Sequence, residues 1–208
     1  SKRAMAQDMA EVMTALGFDR FGVAGHDRGG RVAHRLALDH GERVARLAVL
    51  DICPTQAMYA GTDKEFATAY YHWFFLIQAA PHPEHMIGAD PEHWVTSKLG
   101  HWGKDPQAFP PEVVAEYVRC FRDPATVHAT CEDYRAAAGI DLAHDAADLG
   151  RRLPMPLLAL WGAKGFVGRR YDVLAEWRLR AVDVQGQAVP SGHFLPEEAP
   201  AETLQAMR

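Results

Sequence analysis

Cysteine is scarce and badly spaced for cross-linking: Cys53, Cys120 and Cys131 are odd in number and contain no CxxC pair. That excludes a disulfide scaffold and predicts ordinary reduced thiols. No apolar run approaches the length of a membrane-crossing helix, Trp73 to Ile77 being typical, and the first residues lack the basic-then-apolar order of a secretory leader. Basic residues are outnumbered, 22 Lys and Arg against 27 Asp and Glu for a net charge of −5, and without a basic cluster a nucleic-acid partner is not expected. An anionic ligand would need a local positive site. His82, His85, His93 and His101 lie in proline-rich stretches without metal-ligand spacing and read as surface residues, so neither metal nor cofactor is expected. These absences predict a soluble, cytoplasmic protein. An initiator Met is lacking as well: the chain opens on Ser1-Lys2-Arg3 and stops at Arg208 inside an expected helix, so it reads as cut at both ends.

What is present suits one domain with an insertion, because 48% hydrophobic residues in 208 can fill a sizeable core and 24% charged residues argue against disorder. Met5, Met9, Val12, Met13 and Leu16 recur at helical spacing. A strand over Asp19–Gly25 is followed by a turn and a helix over Arg28–His40, and residues 46–51 form a near-continuous apolar run of the buried parallel type. From Pro54 to about Gly150 strand signals vanish, and helical stretches such as Glu65–Gln78 and Pro111–Phe121 alternate with prolines. Strand signals return at Pro156–Trp161 and Asp183–Val189, with helices expected over 170–179 and after Pro196. The alternation predicts an α/β fold, a parallel sheet core from residues 1–53 and 151–208 flanked by helices, with 54–150 inserted as a helical cap.

The chemistry concentrates in Gly25-His26-Asp27-Arg28-Gly29, a G-x-D-x-G between expected strand and helix. In a nucleophile elbow the reactive side chain stands at the tip of a strained strand-to-helix turn, and flanking glycines let the backbone approach closely. The helix N-terminus adds positive potential at that tip. A carboxylate there can displace a leaving group from saturated carbon, forming an ester that water must then hydrolyse. By itself the motif also serves as a turn with an N-cap. His193, after the last expected strand, suits a general base, and Asp51, at the end of the strand following the elbow helix, would reach the same sheet edge and orient the imidazole. Alone, His193 equally suits a surface loop and Asp51 a strand-end cap. Arg28 and Arg31, three apart, can fork together onto a small carboxylate or form a solvated face with Arg35. His72, Trp73 and Tyr134 offer three donors for a departing halide, or belong with Tyr70, Tyr71, Phe74 and Phe75 to an aromatic cap core.

Gly25-His26-Asp27-Arg28-Gly29-Gly30-Arg31, Asp51, His72-Trp73 and Gly192-His193-Phe194-Leu195-Pro196-Glu197 resemble the haloacetate dehalogenases of the α/β-hydrolase superfamily over essentially the whole chain. The resemblance implies Asp27 as nucleophile, Asp51 and His193 as the rest of a triad, Arg28 and Arg31 as carboxylate clamp, and His72, Trp73 and Tyr134 as halide cradle. A haloacid and water would be the partners, with no membrane or nucleic acid, and a homodimer is left open. The family's N-terminal strands and His-Gly-Phe-Pro-like loop have no counterpart here. The resemblance therefore also implies an unpaired edge at Phe21–Gly25 and an oxyanion hole reduced to the Arg28 N–H. Competing readings are an epoxide hydrolase, which shares the Asp nucleophile but uses two cap tyrosines, and an impaired remnant that binds small carboxylates. The paired arginines favour the haloacid.

Overall fold

The computed structural model describes the whole chain, residues 1–208. Four strands, β1 (Phe21–His26), β2 (Val44–Leu50), β3 (Leu157–Gly162) and β4 (Val184–Val189), form one parallel sheet in the order β1-β2-β3-β4. Val23 lies beside Leu47, Leu47 beside Leu157, and Leu157 beside Val184. Sheet order follows chain order, so each connection crosses back over a face and every strand delivers its C-terminus to the same edge. The inner strands β2 and β3 are mostly buried, as their continuous apolar runs require, while the edge strands β1 and β4 are only partly so.

Helix α1 (Lys2–Ala15) precedes β1, and α2 (Arg28–Asp39) joins β1 to β2. Every residue of α2 from Gly30 to Leu38 is buried, because the helix lies against α1, β1 and β2 at once. Between β2 and β3 the chain forms the helices α3 (Thr55–Ala60), α4 (Lys64–Ala69), α5 (His72–Phe75), α6 (His82–Ala89), α7 (Pro91–Trp102), α8 (Pro111–Phe121), α9 (Pro124–Ala138) and α10 (Ile140–Ala147), and then a single parallel bridge from Leu153 to Ala181. Helices α11 (Phe166–Arg170) and α12 (Val173–Arg178) link β3 to β4, and α13 (Leu195–Glu198) and α14 (Pro200–Met207) follow it.

Pleating divides the core. Leu47, Val49, Leu157 and Ala159 face a large cluster that runs through Met58, Phe66 and Trp73, while Ala48, Leu50 and Leu160 face a small one closed by Val189, Leu195 and Ala199. Trp177 of α12 is fully buried, and its indole N–H donates to the Ile52 carbonyl at 3.0 Å, so its burial leaves no polar group unmet.

Two expected helices differ from those observed. Glu65–Gln78 is not continuous: Tyr70 leaves helical geometry at φ −118°, ψ 37°, dividing α4 from α5. The break lets Phe66, Tyr70 and Trp73 turn inward together, with Tyr70 and Trp73 stacked 5.9 Å apart. Likewise 170–179 resolves into α11 and α12, the second started by the Asp172 carboxylate, which accepts from Ala175 N–H at 2.9 Å.

Candidate active site

Two non-glycine residues have positive φ, and they are Asp27 (φ 48°) and Asp51 (φ 52°). Such backbone costs about 1–3 kcal/mol per residue and persists only where surrounding structure enforces it. At Asp27 the enforcement comes from strand β1 running straight into helix α2. A Cβ on Gly25 would lie 2.4 Å from the Gly29 carbonyl oxygen, and one on Gly30 would lie 2.8 Å from the Gly25 carbonyl oxygen and from Ile52 Cδ1. Only glycine lets strand and helix approach this closely, and the turn thereby pushes the Asp27 carboxylate out at the sheet edge.

Asp51, one residue beyond β2, and His193, in the loop after β4, meet at that edge. Asp51 Oδ2 lies 2.7 Å from His193 Nδ1, and Asp51 Oδ1 accepts the Gly162 N–H at 2.9 Å. His193 Nε2 stands 3.6 Å from Asp27 Oδ2, an ion-pair separation. Burial alone would lower the affinity of His193 for its proton, but the Asp27 and Asp51 carboxylates override it and raise the pKa to about 10. Burial likewise favours protonated Asp27, yet His193, with His26 and Arg28, holds its carboxyl well below the usual range. The resting pair is therefore imidazolium beside carboxylate.

The arginines are not a solvated face. Arg35 is buried and paired with Asp39, Asp145 and Asp148. Arg28 Nε donates to Asp133 Oδ2 at 2.6 Å and Nη2 to the Asp133 carbonyl at 3.1 Å, while its guanidinium lies 4.0 Å over the Tyr134 ring. Its buried Nη1 has no partner. Arg31, 4% exposed, spends Nη1 on the Cys53 carbonyl and Thr55 Oγ1 and Nη2 on Met58 Sδ, leaving Nε unmet and no carboxylate within ion-pair distance. Hence the symmetric fork expected from sequence is not what forms: Arg28 has a free donor and borders a cavity with Asp27, whereas Arg31 is anchored by α3 and the chain before it.

His72, Trp73 and Tyr134 are all buried, and their rings cluster, His72 to Tyr134 at 5.6 Å and Trp73 to Tyr134 at 6.4 Å. Trp73 packs in the aromatic core and, with His72, borders the same cavity as Asp27; His72 keeps a buried Nδ1 without a protein partner. Burial drives the His72 pKa well below its ordinary value, so the ring is neutral.

Several supporting residues escaped the sequence reading. Glu198 accepts from the Gly192, Phe194 and Lys104 N–H groups and thus clasps the His193 loop. His26 Nε2 contacts the His193 carbonyl at 2.7 Å, and the Trp102 carbonyl accepts the His193 N–H at 3.1 Å. Asp133, shared between Arg28 and a close Lys2 ion pair, positions the first guanidinium. Only adjacency to Tyr134 could have marked Asp133 in the sequence, and only its place directly after the Gly192–Glu197 stretch could have marked Glu198. His101, expected at the surface, is exposed but also lines the cavity. The group Glu84, His128 and Glu132 could approach a cation, but Arg135 already pairs with both carboxylates.

Comparison with known proteins gives the fold family. A family model described as alpha/beta hydrolase fold matches residues 1–200. A fluoroacetate dehalogenase from Burkholderia sp is 44% identical over 209 residues, covering 100% of this chain and 69% of that protein. A soluble epoxide hydrolase from Corynebacterium sp. is 35% identical, covering 96% of this chain and 69% of the relative. The solved structure of ALR0039 from Nostoc sp PCC 7120 superposes with a TM-score of 0.98 at 64% identity, covering 100% of this chain and 71% of its own. By the family match over residues 1–200 and the near-complete superposition on a solved relative, the chain is a member of the alpha/beta hydrolase fold family.

Proposed function

We propose that this chain hydrolyses small 2-haloacids of the haloacetate class to the hydroxyacid and halide through an ester on Asp27, with residues 54–150 capping a core formed by 1–53 and 151–208. The observation that carries the reading is Arg28, which borders a cavity together with Asp27 and keeps a buried Nη1 that Asp133 does not meet. A buried guanidinium N–H without an acceptor is costly, and an anion beside Asp27 would satisfy it. A haloacid supplies that anion on the carbon next to the one attacked. The Burkholderia relative acts on fluoroacetate by its name, which supports the same substrate class here.

In the first step an Asp27 oxygen forms a bond to the halogen-bearing carbon, and the carbon–halogen bond breaks with its electron pair leaving on the halide. His72, Trp73 and Tyr134 offer N–H and O–H groups to it. Esterification removes the Asp27 charge, so His193 loses one of the two carboxylates that raised its pKa and can give up its proton. Neutral His193, oriented by Asp51, then takes a proton from water, hydroxide adds at Asp27 Cγ, and the tetrahedral oxyanion meets the free N–H groups that open α2. Collapse releases the hydroxyacid and restores the carboxylate, one proton per turnover leaving through His193.

A single turnover in heavy-oxygen water tests the ester. The expected result is unlabelled hydroxyacid and label on the peptide containing Asp27; label in the first product would show that water attacks the substrate directly and would sink the reading. Asp27→Asn should abolish halide release with the fold retained. A second reading, epoxide opening, is favoured by two buried cap tyrosines, Tyr70 and Tyr134, that line cavities bordering Asp27, and by the Corynebacterium relative. Diol formed from a neutral epoxide faster than halide from chloroacetate would establish it instead.

A further inference from the structure

Two cavities meet at the catalytic groups, sharing Asp27, His72, Trp102 and His193. One, about 440 Å³, borders Arg28 and Tyr134 and also Lys98, whose ammonium donates to the Tyr71 hydroxyl and makes no ion pair. The other, about 240 Å³, borders His72 and Trp73 but neither arginine of the clamp, and reaches the surface between Lys104, Lys164 and Arg169. All three are exposed, and none makes an ion pair, whereas the neighbouring Arg170 is matched by Asp63 and Glu65. Asp51 also lines this cavity, but its oxygens are held by His193 and the Gly162 N–H. An unmatched positive mouth on a chain of net charge −5 is a local reversal of the protein's field.

The order of the chemistry gives that reversal a use. Displacement leaves two anionic groups in the site at once, the ester's carboxylate on the Arg28 side and the free halide beside His72 and Trp73. The ester is covalently fixed and obstructs the Arg28 cavity. Of the three proposed halide donors Tyr134 borders only the Arg28 cavity, Trp73 only the other and His72 both, so the halide would sit where the two meet, with the second cavity open beside it.

We propose that the cavity opening between Lys104, Lys164 and Arg169 is a separate port through which the inorganic halide leaves while the ester is still in place. The proposal rests on the haloacid reading for its purpose, but the port itself concerns the passage of a small monovalent anion. Bromide is the probe, followed by its quenching of tryptophan fluorescence in stopped flow, since Trp73 and Trp102 both line the cavity. In the Lys104→Gln, Lys164→Gln, Arg169→Gln variant, bromide association and dissociation should both slow on the order of tenfold at low ionic strength. Its dissociation constant should hardly move, because a port changes the barrier and not the site. The kcat/KM for chloroacetate should stay at the wild-type value, and the charge-conserving variant Lys104→Arg, Lys164→Arg, Arg169→Lys should keep wild-type bromide rates. Bromide kinetics unaffected by the triple Gln change would overturn the port. A fall in chloroacetate kcat/KM matching the fall in bromide rates would also overturn it, making the mouth a common gateway. If the wild-type protein released no halide from any haloacetate, the haloacid reading would fail while the bromide rates still decided the port.

Discussion

Arg28 and Arg31 stand one helical turn apart, carry the same group, and are held by different partners. Arg28 is fixed through Nε and Nη2 by Asp133 and keeps Nη1 unpaired, so Arg28→Lys removes a planar fork from the cavity wall. Loss of one charge-assisted hydrogen bond to substrate is worth about 1.5–3 kcal/mol, which predicts a fall of about 10–10²-fold in haloacid kcat/KM, with some loss of melting temperature as well because Asp133 gives up its two-bond partner. Arg31 binds the Cys53 carbonyl and Thr55 Oγ1 instead, inside the protein. Arg31→Lys cannot reach both with the same geometry, and each buried acceptor left unmet costs about 1–3 kcal/mol. Its primary effect should therefore be a lowered melting temperature. Steady-state kinetics and thermal denaturation of the two variants separate these roles; equal effects on both measurements would show that the arginines act as one unit.

At the scale of elements, the elbow is the join that tolerates least. A Gly25 Cβ would strike backbone, which cannot move without shifting α2, so Gly25→Ala should cost about 1–3 kcal/mol and displace Asp27. Gly100, inside α7, has nothing within 4 Å of the place a Cβ would take, and Gly100→Ala should stabilise by about 0.5–1 kcal/mol through helix propensity alone. Denaturant titration of the two variants should move their midpoints in opposite directions. Helix α1 shows how an element can be legible while its orientation is not. Met5, Met9, Val12 and Leu16 mark the helix by their spacing, yet they are exposed, and the face packed inward carries Lys2, Ala6 and Ala10. Small side chains let α1 approach α2 closely, and Lys2 is drawn in by Asp133 and Asp141.

For the molecule as a whole, the charged pair at the site links catalysis to stability. The pKa of His193 in the folded protein, about 10, lies above that of an unfolded histidine, about 6.5, so the folded state binds the extra proton between those values. That contribution is fully present below about pH 6.5 and is lost as pH rises toward about 10. Asp27 works at the other end: its lowered pKa stabilises the fold above the ordinary carboxylate range and ceases to do so as acid protonates it. Melting temperature should therefore decline between pH 6.5 and 10 more steeply in the wild type than in His193→Gln. Parallel profiles would mean that the imidazolium is not held in the resting protein.

The apolar runs at 46–51 and 156–161 were readable as buried parallel strands because inner strands are covered on both faces and need no polar alternation. The elbow was readable because its glycines are required by local backbone geometry, and Asp51 and His193 because strand ends in a parallel sheet share one edge. Sequence by itself thus determined the fold class, the strand ends and the residues gathered there. It could not determine which arginine is free, since that depends on Asp133, 105 positions from Arg28, and on the carbonyl of Cys53. Nor could it show Glu198 clasping the His193 loop or three unpaired basic groups ringing a cavity, because Lys104, Lys164 and Arg169 come from different elements. Local preferences act over a few residues and leave their mark in spacing, whereas the sharing of partners among buried charges is decided only when distant segments compete for the same space.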